Sequence, residues 1–354
     1  MKEAIVGPDL AVEVVDCPRP KPSRGDLLIK VACAGCNPKD WKAPHYTGKK
    51  ANPGDDIAGE FAECGEDVVG FSVGDRVAAV HQMGTLGGAF AEYAIAPATT
   101  TFHLLIKVSF EEGATIPLAC LTAAIALYHN LRLPPPWQKC SKKTPLLIYG
   151  GSTATGAFGI KLARQSHVSP LIVIAGKSTP FVVSLLDASQ GDVAIDYRQG
   201  QDAVVKAIER HFAHIGAGPA HYAFDTISEQ GSFHTLGRVL HPNGHITLVS
   251  PEGDYASIPA SLTTSLTYVG IAHGSTPDIS TLEGIRHVAD GDGEAFAVVF
   301  CRLFSWGLQA GWLSAHPWKC APNGLHGLST ALNAIKSGQT SATKYIINPD
   351  VSSK

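Results

Sequence analysis

Over the first 118 residues, apolar positions come in short runs punctuated by glycine and aspartate. "DLLIKVACAGC" is an apolar run closing on a glycine turn, and "GEFAECGEDVVGFSVGDRVAAV" alternates small apolar segments with Gly and Asp turns. Gly59, Gly65, Gly70 and Gly74 recur every four to six residues, a spacing suited to tightly turned strands of a small barrel. "GGAFAEYAIAPATTTFHL" reads as one more hairpin. At 113–131 the pattern changes, with Leu, Ala and Ile at helical spacing in "GATIPLACLTAAIALYHNL". The prolines of "LPPPWQKCSKK" then force a loop.

Beyond that loop, strand and helix patterns alternate. "PLLIYG", "PLIVIAG", "DVAIDY", "AHYAFDTI", "HITLVS" and "LTYVGI" read as strands, and "TGAFGIKLARQS" and "DAVVKAIERHF" as helices. Such alternation predicts an α/β fold with a doubly wound parallel sheet. From about residue 275 the pattern is mixed, ending in an amphipathic helix, "GLSTALNAIKSG", and a strand, "TKYIINP". The expected organisation is a β-rich domain over 1–120, an inserted nucleotide-binding domain over 121–275, and a return to the first domain over 276–354.

Composition narrows the function. The 354 residues are 45% hydrophobic and 17% charged, as in a globular enzyme with a sizeable core. A formal net charge of −3 leaves no basic excess to neutralise a nucleic-acid backbone. The opening "MKEAIVGPDLAVEVV" lacks a basic region followed by an apolar core, and no apolar run is read as long enough to cross a bilayer. A cytoplasmic protein with reduced thiols is the expectation. Cys33 and Cys36 have C-x-x-C spacing but no second pair, and read as small apolar residues on a strand entering a loop. The fifteen histidines show no ligand spacing, so no metal site is expected, and no G-x-S-x-G supports serine hydrolysis.

The sharpest local signal follows "PLLIYG". The string from Gly150 and Gly151 through Ser152, Thr153, Ala154, Thr155 and Gly156 to Gly159 joins a predicted strand to a predicted helix. Glycines there let the backbone approach a pyrophosphate, and the helix N-terminus offers unpaired N–H groups. The hydroxyls of Ser152, Thr153 and Thr155 add donors. The next strand ends in "AGKSTPF", with no acid to hold a ribose 2′-OH; Lys177, Ser178 and Thr179 instead suit a 2′-phosphate. The cofactor expectation is therefore NADPH, with Tyr197 closing the adenosine pocket; a solvated surface lysine is the alternative at Lys177.

"AGCNPKDWK", "GDDIAGEFAECGEDVVGFSVGDRVAA", "IPLACLTAAIALY" and "LLIYGGSTATGAFGIKLA" together resemble the medium-chain dehydrogenase/reductase superfamily over essentially the whole chain. They look most like its zinc-free quinone-oxidoreductase and enoyl-reductase branch. "NPKDWK", "GGSTATG" and "KSTPF" are similar to fungal trans-acting enoyl reductases of polyketide biosynthesis. The resemblance implies a GroES-like β-barrel catalytic domain and a Rossmann domain. In the zinc alcohol dehydrogenases a Cys-His pair sits where this chain has Asn37-Pro38, and a Gly-His-Glu where it has Gly54-Asp55-Asp56. Without a Lewis acid an alkoxide loses its stabiliser. Reducing an activated C=C asks less, because its charge spreads onto a carbonyl that hydrogen-bond donors can hold.

The resemblance also implies roles. Lys39, Asp40, Trp41 and Lys42 lie in the part of the barrel domain placed against the cofactor, with Asn37, Asp40 and Trp41 shaping their loop. Lys42 would bind the cofactor, polarise a thioester carbonyl or help deliver a proton; an exposed lysine is the alternative. Thr122 would hydrogen-bond the nicotinamide ribose or the substrate, or simply satisfy a helix start. Leu248, Val249, Thr340 and Ser341 would line the cofactor, with Lys344 nearby, and 267–274 the acyl pocket. Expected substrates are an acyl-carrier-bound polyketide thioester delivered by a synthase partner, or a free small-molecule enone. Quinone reduction, a non-catalytic NADPH-binding role and a recruited cyclase are the alternatives. No membrane or nucleic-acid partner is expected, and the chain would be a monomer or homodimer.

Overall fold

The glycine-punctuated start of the chain folds as short strands around one long one; the computed structural model describes residues 1–288 and 291–350. β1 (Lys2–Val6) and β2 (Val12–Asp16) form an antiparallel ribbon. β3 (Asp26–Gly35) is the long strand, and α1 (Pro38–Thr47) follows it. β4 (Asp56–Cys64) runs antiparallel to β3 with register shifts between Leu28 and Ile29 and between Val31 and Cys33, which bend the sheet. Next come β5 (Arg76–Val80), β6 (Tyr93–Pro97) and β7 (Thr101–His103).

The expected hairpin is not formed. β6 pairs with β3, whereas β7 pairs with β5. Between them a single 3-10 turn, Ala98–Thr100, redirects the chain, with the Thr101 hydroxyl donating to the Pro97 carbonyl at 2.8 Å. α1 corrects a second expectation, because the loop expected at "NPKDWK" is a helix. Pro38 suits the first helical position, where no N–H is needed. Gly48, at φ 68°, ends the helix with its N–H on the Pro44 carbonyl.

α2 (Phe110–Gly113) is capped reciprocally by Ser109 and Glu112. α3 (Pro117–Ala124) runs on into a π-helical stretch, Ile125–Asn130. The run Phe110–Asn130 has a window of mean hydropathy 1.4 and is long and apolar enough to cross a membrane, correcting the expectation that none is. That window is 78% buried inside the protein, as in a core helix.

The second sheet contains β8 (Leu146–Tyr149), β9 (Leu171–Ala175), β10 (Val193–Asp196), β11 (Ala220–Asp225), β12 (Leu240–Leu248), β13 (Thr263–Leu266) and β14 (His287–Val288). Among the described residues their order is β10-β9-β8-β11-β12-β13-β14, every pairing parallel. All five residues of β9 are buried, as a central parallel strand requires. α4 (Ala154–Gln165), α5 (Thr179–Val183), α6 (Gln201–His214) and α7 (Ser232–Val239) follow β8 to β11 in turn. The apolar stripe of α6 is Val204, Val205, Ile208 and Phe212, buried on this sheet's core. "LTYVGI" is only in part a strand. β13 stops at Leu266, Thr267 donates its N–H to the Leu248 carbonyl, and Val269–His273 is a 3-10 turn.

The mixed pattern after 275 hides an 18-residue helix, α8 (Gly293–Ala310). β15 (Trp318–Cys320) and β16 (Lys344–Ile347) complete the first sheet, with β16 antiparallel to the end of β3, and α9 (Leu328–Lys336) lies between them in the chain. The chain divides into two units. One comprises Met1–Leu121, Gly270–Ser275 and the chain from Asp292 onward; the other comprises Thr122–Val269 and Thr276–Gly291. Along the sequence, segments of the two units alternate, with 270–275 belonging to the first and 276–291 to the second.

Candidate functional site

In the second unit the strand order reverses between β8 and β11, the place where open α/β sheets hold ligands at their carboxyl ends. The glycine string lies there. Gly150 has φ +86°, closed to most side chains, and an added Cβ would lie 2.4 Å from the Thr226 hydroxyl. At Gly151 a Cβ would meet Val173 at 2.1 Å, and at Gly156 it would meet the Gly150 carbonyl oxygen at 2.3 Å. At Gly159 a Cβ would lie 3.2 Å from the Phe224 ring, so the bare backbone lets α4 approach the sheet. The turn therefore keeps its backbone bare for a mechanical reason, which is what a pyrophosphate cradle needs.

Thr153 is used differently from the expectation. It is the N-cap of α4, accepting the Gly156 N–H at 2.9 Å, and its hydroxyl pairs with that of Thr226 at 3.0 Å. Thr226, missed in the sequence, also donates to the Tyr149 carbonyl at 2.8 Å. Ser152, Ala154 and Thr155 complete the turn and the first residues of α4, all half-buried.

The adenosine-side residues come together at the ends of β9 and β10. Tyr197 packs on Gly176, where a Cβ would lie 2.5 Å from its ring, and stacks on Tyr149 at 6.3 Å between centroids. Lys177 follows and is exposed, Ser178 precedes α5, and the Thr179 hydroxyl donates to the Gly176 carbonyl at 2.7 Å. Farther along the sheet edge, Leu248 is buried and the Val249 N–H is held by the Ser228 hydroxyl at 2.9 Å. Asp225, fully buried, organises that loop by accepting from Ile227 N–H, Ser228 N–H and the Ser232 hydroxyl at 3.0, 2.9 and 2.6 Å. Burial pushes its carboxyl up to about 6, against those hydrogen bonds. Thr122, at the start of this unit, is half-buried in α3.

In the first unit a charged cluster surrounds the start of α1. Asn37 is the residue type of an N-cap, but its side chain is diverted. Its Nδ2 donates to Asp56 Oδ2 at 2.8 Å, and its Oδ1 accepts from Lys344 Nζ at 3.0 Å. Lys344 also donates to Asp56 Oδ2, and Leu118 N–H donates to Asp56 Oδ1 at 2.6 Å. Lys39 and Asp40, expected on the cofactor, have their polar atoms engaged within this unit. Lys39 Nζ lies 2.7 Å from Asp40 Oδ1 and 2.6 Å from Asp55 Oδ2, and donates to the Pro53 carbonyl. Asp40 Oδ2 takes the Asn37 N–H at 2.7 Å. Burial raises Asp40 to about 7 and Asp55 to about 6, although Lys39 pulls both down. Burial alone would lower Lys39, and the two carboxylates outweigh it.

Lys42 is half-buried on α1, its Nζ 5.9 Å from the Trp41 ring centroid, and Lys336 approaches the same ring at 5.3 Å. Thr340 and Ser341 lie in the loop leading into β16. Cys33 and Cys36 are buried and unbonded to each other. Among the described residues, no three His, Cys, Asp or Glu side chains converge as a metal-binding group.

Residues 23–106 match the alcohol dehydrogenase GroES-like domain family. The chain is 42% identical to the trans-enoyl reductase fsr4 of Gibberella fujikuroi over 332 residues, covering 92% of each chain. It is 30% identical to the trans-enoyl reductase resD of Aspergillus sclerotiorum over 370 residues, 96% of this chain and 97% of that one. Among solved structures, an alcohol dehydrogenase superfamily protein from Novosphingobium aromaticivorans shares the fold with a TM-score of 0.77 at 20% identity, over 98% of this chain and 99% of that one.

Proposed function

Because the chain belongs to the medium-chain dehydrogenase/reductase superfamily, among its trans-enoyl reductases, we propose that it is a cytoplasmic NADPH-dependent enoyl reductase. Its substrate is the α,β-double bond of a polyketide thioester presented in trans by a synthase's acyl-carrier domain. The observation that carries the oxidoreductase reading is the bare glycine turn at the switch point of the sheet, which no added Cβ would leave intact. The names of its relatives narrow that reading to a C=C bond.

The cradle fits a dinucleotide. Gly151, Ser152, Thr153, Ala154, Thr155 and Gly156 would hold the pyrophosphate at the N-terminus of α4, Thr153 by fixing the turn from within. Lys177 and Ser178 would hold a 2′-phosphate, with Thr179 bracing their turn and Tyr197 covering the adenosine. Leu248, Val249, Thr340 and Ser341 would border the nicotinamide. Bound there, NADPH supplies the hydride that adds to the β-carbon.

The chain's own work is to hold the charge and the proton. As the double bond is reduced, negative charge spreads to the thioester oxygen, where a preorganised donor stabilises it. Lys42 and Thr122 are the proposed donors, and Lys42 would protonate the α-carbon. The test is NADPH oxidation against crotonyl-type thioesters and quinones. Oxidation with thioesters supports the reading; oxidation with quinones alone replaces it by quinone reduction, and none with either removes both.

A further inference from the structure

The ammonium of Lys39 has three oxygens around it: it donates to Asp40 Oδ1 and the Pro53 carbonyl, and lies 2.6 Å from Asp55 Oδ2 as an ion pair. Its two carboxylate partners are 0% and 1% exposed. The acceptors come from separate places in the chain, Asp40 from the first turn of α1 and Pro53 and Asp55 from the segment entering β4. One cation therefore pins the first turn of the helix to that segment. Lys42 lies three residues beyond Lys39, on the adjoining part of the same helix face.

We propose that Lys39 is a positioning residue, a cation built into the first unit that offsets part of the charge of Asp40 and Asp55 and so fixes α1 and its Lys42 for reduction. The proposal rests on the reductase reading for its kinetic part only. Fully ionised, the cluster of Asp40, Asp55, Asp56, Lys39 and Lys344 holds three negative and two positive charges. Cys36 and His81 also feel its charges. Losing the Lys39 charge leaves two buried carboxylates that can become neutral only by taking up protons. The raised positions of Asp40 and Asp55, about 7 and about 6, agree with that balance.

The experiment uses the full chain and the variants Lys39→Met, Lys39→Arg and the double variant Lys39→Met/Asp55→Asn. Thermal unfolding is followed from pH 5 to 8, with NADPH binding and, separately, kcat and KM for a crotonyl thioester. Lys39→Met should match the wild type most nearly at pH 5 and fall behind by about 3 °C or more toward pH 8 as the carboxylates ionise. The double variant should recover most of that loss, and should fold even where the single variant does not. Lys39→Arg, which keeps the charge but not its compact shape, should recover part. NADPH affinity should stay within about twofold while kcat falls about tenfold or more, the cost of misplacing a reacting group. A Lys39→Met chain whose deficit is the same at every pH and is not relieved by Asp55→Asn overturns the proposal. So does one whose main defect is NADPH binding. The unfolding measurements need no substrate, so their result stands apart from whether the chain reduces thioesters.

Discussion

Lys344 Nζ and the Asp56 carboxylate form a buried ion pair joining β16 to β4, across 288 residues of sequence. Asp56 is fully satisfied by Lys344, Asn37 and the Leu118 N–H, so the pair fixes the end of β3, the start of α1 and the entry to α3 together. Removing only the cation strands a buried charge. Lys344→Met should therefore cost about 3–5 kcal/mol in urea unfolding, and Lys344→Met/Asp56→Asn clearly less. Equal losses in both would mean that packing, not charge, sets the cost.

The cradle makes a steric prediction. In Gly156→Ala the new Cβ would sit 2.3 Å from a backbone oxygen that has no room to move. The turn must open, and NADPH should bind at least about tenfold more weakly, some 1.4 kcal/mol, with the circular dichroism of the fold kept. Fluorescence titration of NADPH reads this directly.

Lys177 tests the choice of cofactor. A charge-assisted bond to the 2′-phosphate is worth about 1.5–3 kcal/mol, so Lys177→Ala should weaken NADPH binding about ten- to hundredfold and leave NADH unchanged. A parallel loss for both cofactors would take Lys177 away from the phosphate.

Asp225 carries a pH signature. Its folded carboxyl titrates at about 6, against about 3.9 in an unfolded chain. Between those values the folded state binds more protons than the unfolded one, so stability falls as pH rises. The contribution is complete below about pH 4 and lost by about pH 6, on the order of 2–3 kcal/mol. Asp225→Asn should flatten this window in unfolding curves taken from pH 4 to 7, relative to wild type.

The strand–glycine turn–helix was legible in the sequence because each part of its signal is local: a buried apolar strand, glycines without room for a Cβ, and a helix directly after. The alternation of strands and helices likewise made the parallel sheet legible. The Asn37–Asp56–Lys344 cluster was not, since its members are far apart in the chain and each alone resembles a cap, a surface acid or a surface lysine. α1 was hidden by its prolines: Pro38 is harmless at the first turn, but Pro44 inside the helix removes an N–H and argues for a loop. The supposed hairpin at 87–104 failed because alternation shows which face a strand buries, not which neighbour it joins. Thr226 looked like an ordinary strand-end threonine, and only the turn of the chain around Gly150 gave it work.

The central claim is that this chain delivers hydride to the β-carbon of an enoyl thioester. The most direct measurement is a single turnover with NADPH deuterated on the transferred position and a crotonyl thioester, followed by mass spectrometry and NMR of the product. The expected product is a saturated thioester with one deuterium on its β-carbon and a solvent-derived proton on the α-carbon. Unreacted thioester in the presence of bound NADPH, or a product with no deuterium at the β-carbon, would contradict it.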